Sequence, residues 1–488
     1  MFRSCMFVSL ILLLAPSLRA DDRFATVQPR VEIEEQVYAY EPANNGVGPT
    51  WCFGAPALVR LGDTLFAPGL ETLPDFQPLH NVRWMLWKRD AAGWELQQVD
   101  PVERTREPCP LVVFPDGRLL MSVNPTLVTD PQRRAGPARP ELLEFRAANP
   151  KRPPKTLAPA WDGDPQFTEH SYRFFAADTD SQEAIMLNQI GYSHKEWALL
   201  KADGTWAAGR LMNVPSREGD IHAYVPGHNL HRYNYGSVVL KDRAVTLTGC
   251  VSYANWDRAG EDQLEKILDG QSARRQLGSL ANRRRMMITW TPDITTTPFA
   301  QWLEVGSTMS NGGWLFPGDL WVAPDGTAHV LWYEGPMDRR LRDEYFPDIK
   351  LTHAIKHAIV RDGRVVHRGT LIEGGEGLSS EIPQSSQPRF QITADNRLFA
   401  WYYVAGSDSL GQRVSENRMV ELLADGTIGS PFVLPLAHPL RMAFTATPRG
   451  GSPASNILDL FGIRASGPAN TLCYARVHLE IPPASSPE

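Results

Sequence analysis

The chain has 488 residues, 42% of them hydrophobic and 21% charged, with a formal net charge of -6. Such a composition can bury a sizeable core, and its mild acidity argues against a nucleic-acid or anionic-membrane partner.

Met1–Ala20 reads as a secretory leader. Arg3 is its charged start, Met6–Ala15 its apolar core, and Leu18-Arg19-Ala20 ends on a small residue. It is too short to span a membrane, and no later stretch is apolar enough. Its loss, with Arg3 and Arg19, takes the net charge from -6 to -8. The expectation is an exported, monomeric protein whose remaining chain, 21–488, is one domain.

Arg30–Tyr40 alternates like a strand. Seven hairpins follow. They are Ala55–Gly69, Cys109–Val123, Ser171–Gln189, Tyr235–Cys250, Gly318–Glu334, Pro388–Val404 and a looser one near Leu440–Gly462. The third belongs to a complete meander, with runs at Ser171–Ala177, Glu183–Gln189, Glu196–Lys201 and Thr205–Leu211. Outer hairpins recur at Arg83–Val99, Ala358–Gly369 and Met419–Leu434, turning on Asp-Gly-type sequences. Sheets repeating every 50–80 residues or so describe an all-β, seven-bladed β-propeller of four-stranded antiparallel blades. Thr471–Ile481 is a lone strand after the last hairpin, so Arg30–Tyr40 is expected to complete the last blade and close the ring. Pro150–Pro159 reads as a linker between strands. Glu261–Arg285 reads as a solvated insertion with a short helix at Glu261–Leu268 and a basic run, Arg283-Arg284-Arg285.

Four cysteines follow the leader, without a CxxC pair: Cys52, Cys109, Cys250 and Cys473. Cys52 and Cys109 fall near innermost strands of neighbouring blades, where a disulfide is conceivable. His222, His228 and His231 have loose metal-like spacing, but no acidic or cysteine partner completes a site. Neither a metal nor a cofactor is expected.

In a propeller, loops entering each innermost strand and leaving each second strand surround the channel mouth, the usual ligand site. Here they carry Glu169, His170, Tyr172 and Arg173, then Asn188, Tyr192 and His194, then His231 and Tyr233. Aligning the hairpins by their turns puts Asp319 and Arg389 at the height of Tyr172 in later blades, with Arg441 near it. Asp319 with Arg389 reads equally as a salt bridge or a ligand contact. Arg389 with Arg441 could hold a carboxylate, which fits an acidic sugar. Trp51, Trp314, Trp332 and Trp401 could stack on sugar rings or fill gaps between blades.

Two resemblances sharpen this. The turns Asp90–Trp94 and Ala202-Asp203-Gly204-Thr205-Trp206 resemble the Asp-box, or BNR, repeats of the sialidase superfamily. Thr105–Leu111 running into Asp116–Leu120 is similar to the opening of sialidases. That resemblance implies Arg106, Arg389 and Arg441 as a carboxylate-binding triad. His170-Ser171-Tyr172-Arg173-Phe174-Phe175 resembles the third-blade strand of seven-bladed BNR-type polysaccharide lyases such as ulvan lyases. That second likeness implies elimination from uronic-acid sugars, with His170 or His194 as base, Tyr172, Tyr192 or Tyr233 as acid, and an arginine facing the carboxylate. Hydrolysis would instead use carboxylates among Glu107, Glu169, Asp319 and Glu334. A non-catalytic glycan- or protein-binding propeller is the alternative.

Overall fold

A computed structural model of the chain describes residues 23–481 except 25, 103, 192, 216–229, 252–282, 312, 338, 340–341, 344–345 and 384–386, and the backbone alone at 230–231. The expected leader, the histidines at 222 and 228, Tyr192 and the expected helix at 261–268 lie outside the described residues.

Among the described residues, seven antiparallel sheets of four or five strands succeed one another along the chain, and a two-stranded pair, Val214–Pro215 with Leu230–His231, falls between the third and fourth. The first comprises Val59–Leu61, Thr64–Thr72, Val82–Asp90 and Gly93–Val99. The third comprises Phe174–Asp178, Glu183–Ile190, His194–Leu200 and Trp206–Met212, close to the expected runs. Its innermost strand starts later than expected, so His170–Arg173 is loop. In the second sheet Lys155–Leu157 is the outer strand, so the expected linker contains a sheet element.

Asp side chains recur at the hairpin turns. Asp90, Asp116, Asp203, Asp325 and Asp425 each accept the N–H two residues on at 2.8–3.0 Å. This local bond gives the chain its reversal, and glycines at 93, 117, 204, 326 and 426 adopt the positive φ that follows.

Gln28–Ala39 pairs antiparallel with Thr471–Glu480, from Gln28 opposite Glu480 to Ala39 opposite Thr471. The N-terminal strand is thus the outer strand of blade seven, and the ring closes as expected. Apolar side chains fill the wedges between blades. Phe174, Ile185, Leu187 and Trp197 of blade three, for example, meet Val238, Val245, Leu247 and Met287 of blade four. All four described cysteines are buried free thiols, so the possible Cys52–Cys109 disulfide is not formed.

The looser seventh hairpin has a structural reason. Its turn, Pro448–Gly450, enters the central channel. A Cβ on Gly451 would collide with the Val113 carbonyl of blade two, and one on Gly450 would lie 3.1 Å from Pro56 at blade one. Arg449 crosses further, bonding the Gly54 carbonyl and, at 3.0 Å, Asp319 of blade five. From the opposite end, the loop entering blade one spans the mouth. Gly54 lies so close to the Gly236 carbonyl of blade four that it has no room for a side chain, and Gly236 in turn abuts the Thr248 carbonyl of its own blade. The channel is therefore filled from both ends, with Arg449 meeting the Gly54 carbonyl.

Candidate active site at the mouth of blades two to four

The loop before blade three carries the candidate site. His170 is partly exposed, and its ring lies parallel to that of Tyr172, with centroids 5.8 Å apart and planes at 17°. Arg106, from the loop entering blade two, lays Nη1 against the His170 ring, nearest Nδ1 and 2.9 Å from Nε2, while its Nε and Nη2 donate to the Asn45 carbonyl. Glu169 Oε1 is 3.5 Å from the same ring nitrogen. Burial, then the charges of Arg106 and Arg232, push the His170 pKa down to about 3. The imidazole is therefore neutral near pH 7.

Tyr172 has φ +40°, and Tyr235, which it meets edge-on at 5.5 Å, has φ +61°. Left-handed backbone is disfavoured for side chains of this size, and such residues gather at functional sites. The Arg232 guanidinium lies 4.6 Å from the Tyr172 ring centroid. That of Arg283 lies 4.6 Å from Tyr235 and 4.5 Å from Phe316. Trp51 and Phe53, on the loop across the mouth, complete the aromatic group at 5.3 and 5.2 Å from Tyr235. The result is a neutral imidazole and a phenol beside three guanidinium groups, on a wall of aromatic faces.

The other sequence candidates divide. Arg173 is buried and donates to the Glu107 carbonyl at 2.8 Å, so it braces the loop rather than facing the mouth. Asn188 is wholly buried, with both amide atoms unpartnered among the described residues. Tyr233 is fully buried, its ring 4.5 Å from Trp302, and burial holds its phenol pKa well above the ordinary value. His194 belongs to a separate group, 2.7 Å from Ser193 Oγ and 3.0 Å from Glu196, which also binds Arg210 at 2.7 Å. His231 is described only by its backbone, paired with Val214.

Two rim expectations need correction. Arg389 does not face a ligand. It is 1% exposed, donates to the Ala443 and Gly318 carbonyls and to Gln387, and its pKa is held down to about 10, chiefly by burial. Arg441 is exposed, so the two do not form a clamp. Asp319 is 2% exposed and fully engaged, by Arg449 at 3.0 Å and by the N–H groups of Leu320 and Phe390 at 2.9 and 3.1 Å. The Arg283–Arg285 run is not simply solvated: Arg284 is buried and Arg285 pairs with Glu304 at 2.6 Å. Of the four tryptophans considered for stacking, Trp332 and Trp401 fill the core.

Of the carboxylates considered for hydrolysis, Glu107, Glu169 and Asp319 are buried. Glu107 is 1% exposed and accepts from Ser171 Oγ and the Tyr172 N–H. Glu169 is buried beside His170. Glu334 lines a groove of about 470 Å³ between blades four and five, with Glu304, Lys356 and Arg368. Burial raises its pKa there, and the Trp332 indole donates to it at 2.6 Å.

Sequence reasoning missed Arg232, Arg283 and Lys195. Lys195 was within reach, because it alternates with Trp197 and Leu199 on a strand whose odd positions face the core. Among the described residues no group of three or more His, Cys, Asp or Glu could hold a metal ion. No helix among them is long and apolar enough to cross a membrane.

No family model matches the chain. No curated protein matches it either. Solved structures do. The polysaccharide lyase Uly1 is 11% identical, with 92% of this chain and 100% of that one covered and a TM-score of 0.52. An ulvan lyase of family PL25 is 10% identical over 82% of this chain and 96% of that one, with a TM-score of 0.44. The Trypanosoma rangeli sialidase is 12% identical over 81% and 60%, with a TM-score of 0.37. This chain shares the fold of the first.

Proposed function

We propose that the chain is an exported, monomeric, carbohydrate-active propeller that cleaves acidic glycans by β-elimination, with the segment after Ala20 as one domain. His170 is the base, Tyr172 the acid, and Arg106 and Arg232 face the substrate carboxylate. The observation that carries this reading is the parallel His170–Tyr172 pair with Arg106 against the imidazole. The shared fold with a polysaccharide lyase is compatible with it.

The chemistry follows from these groups. A uronate carboxylate makes two-pronged bonds to a guanidinium and competes with His170 for Arg106. Withdrawal of that N–H leaves the ring nitrogen's lone pair free, and the added negative charge lifts the imidazole pKa from about 3 toward its ordinary range. The nitrogen then takes the proton from the carbon beside the carboxylate. The bond from the next ring carbon to the glycosidic oxygen breaks, that oxygen takes the Tyr172 proton, and a carbon–carbon double bond forms. Arginine charge beside the carboxylate stabilises the carbanion-like transition state. Hydrolysis is less well supported, because Glu107, Glu169 and Asp319 are buried and Glu334 lines a groove with Glu304, Lys356 and Arg368 instead.

The test is a panel of uronate polysaccharides, sialosides and neutral glycans incubated with purified protein. Elimination predicts ultraviolet absorbance from the conjugated double bond, on uronates alone. New reducing ends without that absorbance would mean hydrolysis. Saturable binding without turnover would leave the glycan-binding alternative and sink the catalytic reading.

A further inference from the structure

Tyr172 occupies a backbone conformation that its Cβ disfavours, so something must hold it there. Two buried polar side chains do, one on each side. Glu107, from the loop entering blade two, accepts the Tyr172 N–H at 3.0 Å and the Ser171 hydroxyl at 2.7 Å on the same oxygen. Lys195, from the third strand of blade three, donates to the Tyr172 carbonyl at 3.3 Å and to Gln189 Oε1 at 2.8 Å. The Gln189 N–H in turn bonds the Ser171 carbonyl at 2.8 Å. Both peptide groups around Tyr172 are thereby fixed from two different blades. Glu107 is 1% exposed and Lys195 0%, so neither can touch a glycan. Lys195 lies 4.9 Å from the ring centroids of both Phe174 and Tyr233, an enclosure that leaves no path to the mouth.

Packing alone does not call for this arrangement. A carboxyl group and an amine buried at this depth are unfavourable unless their bonds are made, and burial pushes the Lys195 pKa well below its ordinary value. These bonds converge on one strained residue whose ring is stacked on His170. We propose that Glu107 and Lys195 are positioning residues that lock Tyr172 in its left-handed conformation and so set the spacing of the His170–Tyr172 pair. The catalytic consequence rests on the elimination reading above, whereas the conformational lock does not.

The variants Glu107→Gln, Glu107→Ala and Lys195→Met separate the roles. A glutamine oxygen still accepts the Tyr172 N–H and the Ser171 hydroxyl, so Glu107→Gln is expected to keep kcat close to wild type. Glu107→Ala and Lys195→Met are expected to lower kcat by about 10²-fold with KM little changed, as for a displaced reacting group. If Glu107→Gln is as inactive as Glu107→Ala, Glu107 acts chemically and the proposal is overturned. Crystal structures of the three variants give a readout that needs no activity. Tyr172 should keep positive φ and its stack on His170 in Glu107→Gln, and lose both in Lys195→Met, which decides the matter even if Glu107→Ala does not fold. A Tyr172 that stays in place in Lys195→Met overturns the lock. A wild-type protein inactive on every uronate would overturn the elimination reading while leaving the crystallographic arm intact.

Discussion

Replacing Asp319 separates a structural centre from a ligand contact. Its carboxylate takes bonds from Arg449 of blade seven at 3.0 Å, from the Phe390 N–H of blade six at 3.1 Å and from the Leu320 N–H at 2.9 Å. Ser237 Oγ of blade four stands 3.4 Å away. Arg449 is 6% exposed and also holds Gly54, so removing the aspartate leaves a buried guanidinium without its counter-charge. Breaking one side of such a pair costs about 3–5 kcal/mol. Asp319→Asn keeps an acceptor but no charge, and should lose roughly 1.5–3 kcal/mol, the range for hydrogen bonds to charged groups. The double variant Asp319→Ala/Arg449→Met removes both charges and should be less destabilised than the sum of its parts. Urea unfolding followed by tryptophan fluorescence measures the wild type, Asp319→Ala, Asp319→Asn, Arg449→Met and the double variant. Additive losses in the double variant, or an Asp319→Ala protein with wild-type stability but altered glycan affinity, would refute the structural assignment.

Further outcomes are expected elsewhere in the molecule. His329 and His357 lie buried on the blade-five face toward blade six, 3.1 Å apart, with pKa values pushed down to about 4 and 3, chiefly by burial. Both stay neutral in the folded state while the unfolded chain binds protons below pH 6.5, so stability is full above that pH and falls on acidification. The loss is roughly 2 kcal/mol per histidine by pH 5, and His329→Phe/His357→Phe should flatten the profile of urea midpoints against pH. Deleting Val31–Tyr40 removes most of the outer strand of blade seven, and aggregation is expected; a monomer with an unchanged Tm would contradict ring closure. His170→Ala should lower turnover by about 100-fold or more with Tm nearly unchanged, because the side chain is partly exposed and contributes chemistry rather than core. The four described thiols should resist a thiol reagent until the protein unfolds, and fast labelling of the native state would contradict their burial.

The fold was legible because it is written locally and repeated. An Asp two residues before an N–H that needs a partner, followed by a glycine free to take positive φ, announces five of the reversals. The unpaired strand at each end made closure readable as well. The site was legible only in its local part. His170 and Tyr172 are two residues apart, so their association needs no knowledge of the ring. Arg106, Arg232 and Arg283 reach them from other loops and blades, and no periodicity in the chain records which loops overhang the same point. Arg389 shows the limit most clearly. Aligning hairpins by their turns places it at the height of Tyr172, but height does not say whether a side chain faces the mouth or the channel wall. That choice is set by Gly318, Ala443 and Gln387, whose oxygens surround the guanidinium. The same reasoning explains Asp319. Its partner Arg449 sits 130 residues away in a turn whose Pro and Gly content made it look like a degenerate hairpin. Those residues are what let the turn enter the channel: Gly451 takes φ +87° with no room for a side chain. The irregular repeat was therefore the one that fills the ring, and the charges read as rim contacts in blades five and six belong to the packing around the filled channel.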